Sequence, residues 1–297
     1  MNNHHLLVGT NGMVGVNHLD RQLSPVSLVD SEPKRAVRII TEALASGANG
    51  LTFTSEPSMN TVIGMLESIP LSQDFALFPI IPSPSQYLSM IAEKGLTGAA
   101  RDAIRRAGFL RGASMVLRGG VSLARRDLDG VIDSLIDFEI SSLRNTTNSS
   151  SRIECVILHD TVTDLVISLG NVRPLELFFD RVLTHHGMSP GFATRNFVKL
   201  VQSLSGQGLP MDKVTIMAPF NELGFQMTPS RLECEEMARS NQFAELIAMS
   251  IFAGGQVSLE RAVAYLDTID AHSVAVGVST EDHAKATFSA LRRRLQR

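Results

Sequence analysis

Residues 152–160 read Arg-Ile-Glu-Cys-Val-Ile-Leu-His-Asp, a short apolar run that ends abruptly in an imidazole and a carboxylate. The run from Ile153 to Leu158 is too short for an ordinary helix and suits a strand buried on both faces. Upstream, residues 128–143 carry a helical pattern, and downstream residues 174–185 carry another. A strand set between amphipathic stretches is the unit of a parallel sheet covered by helices.

The same alternation runs along the whole chain. Strand candidates are Leu6–Gly9, Gly50–Thr54, Phe75–Ile81, Ile153–Leu158, a weaker Pro190–Thr194, Val214–Met217, Leu246–Met249 and Ser273–Val276. Helical patterns fall between them at about 33–46, 128–143, 174–185, 197–204, 231–240, 259–268 and 281–295. The first of these opens with Pro33 and stops on Gly47, the asymmetry expected of helix ends. Eight such units count out an α/β fold, a closed (β/α)8 TIM barrel, as one domain over residues 1–297. The alternative is an open doubly wound sheet, although no Gly-x-Gly-x-x-Gly follows the first strand.

The rhythm breaks once. Residues 83–127 form a long insertion after the third strand, where a barrel needs only a loop. Residues 87–107 look helical, with Arg101, Arg105 and Arg106 on one face, and Arg118-Gly119-Gly120 follows. Insertions of this length serve as lids, substrate loops or contacts between copies, which leaves a homo-oligomer open.

With 44% hydrophobic and 19% charged residues, the chain has material for a sizeable core. A net charge of −3 and a pI near 6.2 give no basic field for a polyanion, so nucleic acid is not an expected partner. The apolar runs are too short to span a bilayer, and Met1-Asn2-Asn3 leads into the first strand without a signal-like segment. Cys155 in a strand-like run and Cys234 in a helix-like run are expected as reduced core thiols of a cytoplasmic protein.

Barrels place their working groups at strand C-termini. The first strand runs into Gly9-Thr10-Asn11-Gly12, whose glycines permit close backbone approach to a ligand, with His18 further along the rim. Asn11 is a candidate substrate contact and His18 a candidate acid–base group, or a loop-packing histidine. Glu56 follows the second strand. His159-Asp160 closes the fourth and is the strongest pair: acid–base group, donor to a carbonyl or metal ligand, against the plainer reading of a strand cap. Arg195-Asn196 closes the fifth strand, where a guanidinium suits a carboxylate or phosphate. The plainer reading is a solvated arginine with Asn196 capping the next helix. Asn221 and Phe225 follow the sixth strand, one to orient a substrate and one to wall the pocket. Ser250, Gly254 and Gly255 follow the seventh strand, and Gly277, Ser279 and Thr280 the eighth, where barrels recurrently hold phosphate. Glu281 and Asp282 in the next helical turn favour its dipole but repel an anion.

From about Leu128 onward the chain resembles the aldo-keto reductase superfamily. Residues 131–143 followed by 152–160 are similar to that family's helix and the strand ending in its catalytic histidine, here His159. Residues 191–197, Gly-Phe-Ala-Thr-Arg-Asn-Phe, look like its Gly-Val-Ser-Asn-Phe segment with one residue more. Residues 246–255 are similar to its seventh strand and small-residue loop, and residues 274–291 to its eighth strand and the helix receiving the cofactor phosphate. The resemblance implies a nicotinamide cofactor, NAD(P), and reduction of a carbonyl.

This sequence departs from the family where the proton is delivered. A reductase uses a tyrosine after strand 2, a lysine ending strand 3, an aspartate and the histidine. Here the second strand runs into Ser55-Glu56-Pro57-Ser58-Met59-Asn60 and the third ends Pro79-Ile80-Ile81-Pro82. The only tyrosines are Tyr87, in the insertion, and Tyr265, in a helix; Thr287 stands where an asparagine is usual.

Other chemistries lack their signals. Of the five lysines, Lys34, Lys94, Lys199 and Lys285 fall on helices and Lys213 precedes its strand, so a Schiff-base enzyme is not expected. No His-x-His or His-x-x-x-His spacing supports a metal centre, and no metal is expected. His4, His5, His185, His186 and His272 read as structural or solvated. There is no Gly-x-Ser-x-Gly for nucleophilic catalysis. The expectation is a divergent aldo-keto-reductase-like enzyme acting on a small carbonyl- or carboxylate-containing molecule through His159, His18, Glu56 and Asp160. The alternatives are a cofactor-free lyase or isomerase using the same groups, with or without a metal, and a non-catalytic barrel that binds a ligand or partner.

Overall fold

The computed structural model describes residues 4–10, 13, 32–69, 75–82, 128–147, 152–240, 243–269, 271 and 273–296. Asn11, His18 and the 83–127 insertion lie outside these.

Eight parallel strands follow one another around a ring: β1 (Leu6–Gly9), β2 (Gly50–Thr54), β3 (Ala76–Ile81), β4 (Arg152–Ile153 and Cys155–Leu158, interrupted at Glu154), β5 (Ser189–Ala193), β6 (Thr215–Pro219), β7 (Glu245–Met249) and β8 (Ser273–Gly277). Each pairs with its neighbours in sequence, and β8 returns to β1 with Leu6 opposite Val274 and Gly9 opposite Gly277. The sheet is therefore a closed parallel (β/α)8 barrel, as the alternation predicts.

Around it, among the described residues, run α1 (Glu32–Ala45), α2 (Pro57–Leu66), α3 (Leu128–Thr146), α4 (Asp160–Ser168), α5 (Arg173–Asp180), α6 (Phe197–Gly206), α7 (Arg231–Ser240), α8 (Leu259–Thr268) and α9 (Glu281–Leu295). A π-helical turn, Arg181–His185, extends α5, where the sequence suggests one uninterrupted helix. Helices α2 and α4 are additions to the sequence reading. None of the described helices is long and apolar enough to cross a membrane.

Alternation along the strands sorts side chains into two cores. Leu6, Val8, Leu51, Phe53, Val156, Phe192, Ile216 and Val274 face the helices. Leu7, Phe78, Cys155, Ile157, Ala193, Met217, Ile247 and Ala275 fill the barrel. The interior is tight at Gly191, where a Cβ would lie 2.7 Å from Cys155 Sγ and 2.9 Å from Ile157 Cγ1. Burial pushes the Cys155 thiol well above its ordinary value, so it is an inert filler.

At the N-terminal end of the barrel the same parity brings three polar residues inside. His5 Nδ1 lies 2.6 Å from Glu245 Oε1, the His5 amide donates to Ser273 Oγ at 3.0 Å, and Ser273 Oγ donates to Glu245 Oε1. The His5 ring also meets Phe78 edge-on at 4.8 Å. Strands β1, β7 and β8 are thus tied together below the apolar filling, and His5 has the structural role its position suggests.

Candidate active site at the barrel mouth

His159 follows Ile157 by two residues and so continues the inward parity of β4 to its C-terminal end. Its amide donates to Ile81 O at 2.8 Å, fixing it to the end of β3, and it occupies the N-cap of α4. Nδ1 lies 2.8 Å from Asp160 Oδ1 and 3.1 Å from the Thr161 amide. One nitrogen cannot serve both. The Thr161 amide already has Asp160 Oδ1 at 2.8 Å, so the consistent arrangement has Nδ1–H donating to Asp160. Nε2 is then the atom left to exchange a proton with a ligand.

Asp160 is the centre of the group. Burial raises its carboxyl, but the hydrogen bond and charge of His159 and the charge of Arg195 lower it further, to about 2. Arg195, at the end of β5, donates through Nε to Asp160 Oδ2 at 3.0 Å. Its guanidinium is therefore committed on one edge; with the side chain 43% exposed, the remaining donors stay open to solvent.

A second carboxylate supports this corner. Asp164, one helical turn beyond Asp160, accepts from Thr194 Oγ1 at 2.5 Å and from the Arg195 amide at 3.0 Å. Thr194 Oγ1 in turn accepts from the Asn196 amide at 2.8 Å. Asp164 is a positioning residue that the sequence reading passed over; its spacing of four from Asp160 on one helix face was the available signal. Asn196 sits at the N-cap of α6 but makes no side-chain cap bond.

The loop after β6 is closed on itself. Asn221 is fully buried; its amide donates to Phe225 O at 2.9 Å and its Oδ1 accepts from the Phe225 amide at 2.8 Å. Glu222 pairs with Arg261, and its carbonyl accepts from Arg231. Both Asn221 amide groups are thus occupied in shaping the loop, where the sequence offers them to a substrate. Phe225 is half-buried against the outer core.

At the end of β2, Ser55 Oγ donates to the buried Glu139 of α3 at 2.8 Å, and Glu56 occupies the N-cap of α2. Strand β3 separates Glu56 from His159 in the ring. The ends of β2 and β3 supply Thr54, Ser55, Ile80 and Ile81, so among the described residues no tyrosine or lysine stands at these ends. Tyr265 is remote from the mouth: it lies in α8 and donates to Glu235 of α7 at 2.9 Å, with burial pushing its hydroxyl far up.

Among the described residues, glycines mark the opposite side of the mouth. Gly9 and Gly277 face each other in register, and a Cβ on Gly277 would approach only Gly9 O, at 4.0 Å. After β7 the chain turns left-handed at Ser250 (φ 54°), Ala253 (φ 47°), Gly254 (φ 69°) and Gly255 (φ 88°), and a Cβ on Gly255 would meet nothing within 4 Å. The start of α9 fits a phosphate poorly. Thr280 caps it by accepting from the His283 amide at 3.2 Å, and Glu281 and Asp282 fill the first turn. Arg35 donates to Ser279 O at 2.7 Å, and Arg38 pairs with Glu281 at 3.1 Å. Thr287 is fully buried in α9, and its hydroxyl has no hydrogen-bond partner among the described residues.

Solved structures share this architecture. An aldo-keto reductase from Bacillus halodurans is 14% identical over 98% of this chain and 91% of its own, with a TM-score of 0.56. A Pseudomonas aeruginosa protein assigned to the aldo-keto reductases is 13% identical over 97% and 90%, also at 0.56. A protein from Anabaena variabilis described as a sugar phosphate isomerase/epimerase is 9% identical over 99% of both chains, at 0.50. No protein-family model and no curated protein sequence matches the chain. The chain shares the (β/α)8 TIM-barrel fold of these proteins, and at these identities the likeness is one of fold alone.

Proposed function

We propose that the barrel mouth is an active site in which His159 Nε2 protonates or polarises the oxygen of a small carbonyl- or carboxylate-bearing substrate. The observation that carries this reading is the chain His159–Asp160–Arg195: an ionised carboxylate holds the imidazole by Nδ1 at the C-terminal end of an inward-facing strand position. A histidine held through Nδ1 beside a half-buried carboxylate is built for proton transfer. Arg195 supplies a partly open guanidinium at the same rim for a carboxylate of the substrate.

On this frame the reaction is an oxidoreduction with NAD(P), received along Gly277, Ser279, Thr280 and the left-handed Ser250–Gly255 turn. When bound, the nicotinamide would supply the hydride, and His159, as an imidazolium with Nδ1–H held by Asp160, would give the proton on Nε2 to the substrate oxygen. A second reading, a cofactor-free isomerase or lyase using the same acid–base group, is favoured by Glu281 and Asp282 at the head of α9.

Thermal unfolding with NADH, NADPH or neither separates the two. A ligand at ~100 times its dissociation constant stabilises by roughly 2.7 kcal/mol, a shift of a few degrees. A shift with either dinucleotide is the expected result; none with both, at millimolar concentration, removes the reductase reading and leaves the cofactor-free one.

A further inference from the structure

Away from the mouth, α3 and the π-helical turn meet around Asp137. This carboxylate takes Arg181 Nε at 2.8 Å and Nη2 at 2.5 Å, and His186 Nε2 lies 2.9 Å from Oδ1. Successive residues of an α-helix diverge by about 100° and do not share a face. Here the π-helical turn ends at His185 and His186 is its C-cap, and the two rings converge edge-to-face with centroids 4.9 Å apart. One oxygen of Asp137 and one nitrogen from each histidine lie within 4.8 Å of one another. Among the described residues this is where metal-ligating side chains cluster. It lies on the N-terminal side of the barrel, because the chain passes directly from His186 into β5.

We propose that Asp137, His185 and His186 form a site for a divalent transition-metal ion of the zinc or cobalt kind, clamping α3 to the end of α5. Two imidazoles and a carboxylate are the donor set such ions accept, with a fourth position left for water. The carboxylate is already oriented, since Arg181 and His186 engage its oxygens from two sides. On binding, the proton on His186 Nε2 is carried instead on Nδ1, so the ring stays neutral and the nitrogen lone pair turns to the ion. Arg181 keeps its bond to Oδ2 and orients the ligating carboxylate from outside. Its charge weakens the site relative to an unopposed one. His185 is exposed, so the ion has a path in from solvent and the ring has room to close the remaining distance.

The test is titration of metal-free protein with cobalt(II), followed by visible absorption, then displacement by zinc(II), with thermal unfolding in parallel. Wild type is expected to bind one cobalt ion with ligand-field bands of a four- or five-coordinate nitrogen–oxygen site, and to gain thermal stability with zinc. His185→Ala, an exposed change that leaves the Asp137–Arg181 pair intact, should weaken binding at least tenfold, and His186→Ala likewise. Binding of equal strength in wild type and both variants overturns the proposal, as does no binding by wild type at millimolar cobalt.

Discussion

Asp160 Oδ2 accepts from Arg195 Nε at 3.0 Å while Oδ1 faces His159 Nδ1 at 2.8 Å, so one carboxylate joins the ends of β4 and β5. Its two oxygens serve two functions: one sets the imidazole, the other anchors the rim cation.

Replacing His159 by Ala should lower kcat/KM for the carbonyl or carboxylate substrate by ~10²- to 10⁴-fold, the usual worth of a positioned acid–base group. Its melting temperature should fall by a few degrees with the lost Asp160 partner, leaving the variant folded at assay temperature. Undiminished turnover in a folded variant would take His159 out of the chemistry.

Asp160 predicts a specific acid response. Its folded value of about 2 lies below the ordinary 3.8, so the ionised form stabilises the fold above pH 4 and that contribution disappears as pH falls through 2. The difference amounts to about 2 kcal/mol. Urea unfolding of wild type and Asp160→Asn should show a gap of that order at pH 7, closing between pH 4 and pH 2. A gap independent of pH would contradict it.

Asp164→Ala should loosen the end of β5. It removes the acceptor of the buried Thr194 hydroxyl and of the Arg195 amide, and bonds to a charged acceptor are worth about 1.5–3 kcal/mol. Denaturant unfolding measures the loss. A KM that rises with kcat little changed would mark Asp164 as acting through Arg195.

Gly191→Ala should destabilise by about 1–3 kcal/mol through overpacking against Cys155 and Ile157. Combining it with Cys155→Ala, which removes the nearer obstacle, should cost less than the two changes summed. Strict additivity in the double-mutant cycle would show that the barrel interior has slack there.

The architecture was legible because burial on both faces gives most of the strands a short, largely apolar run, the run around Pro190 being the weakest, and these runs stand at the places the structure shows. Helix α4 was hidden for a physical reason: Thr161, Val162, Thr163 and Val166 are β-branched and disfavour a helix locally, while burial of Thr163 and Ile167 imposes one. Helix α2 did carry its signal, a first-turn Pro57 and the buried series Met59, Val62, Ile63 and Leu66. At the site, the position of His159 could be read from the end of its strand. The commitment of Arg195 to Asp160 could not, because the partner lies on another strand's end 35 residues away. Asn221 misleads in the same way: a polar residue after a strand looks available until its own loop folds back on it.

The seam between β1 and β8 sets the order in which the ring can be assembled. Leu6 waits for Val274, and His5 for Glu245 and Ser273, separations of 268, 240 and 268 positions along the chain. On the ribosome, β1 can find β2 early, but its other edge stays unpaired until β8 has emerged. The His5–Glu245–Ser273 trio is thus a latch that cannot engage before β8 is made, and the period before it closes is when a nascent barrel most needs protection from its neighbours.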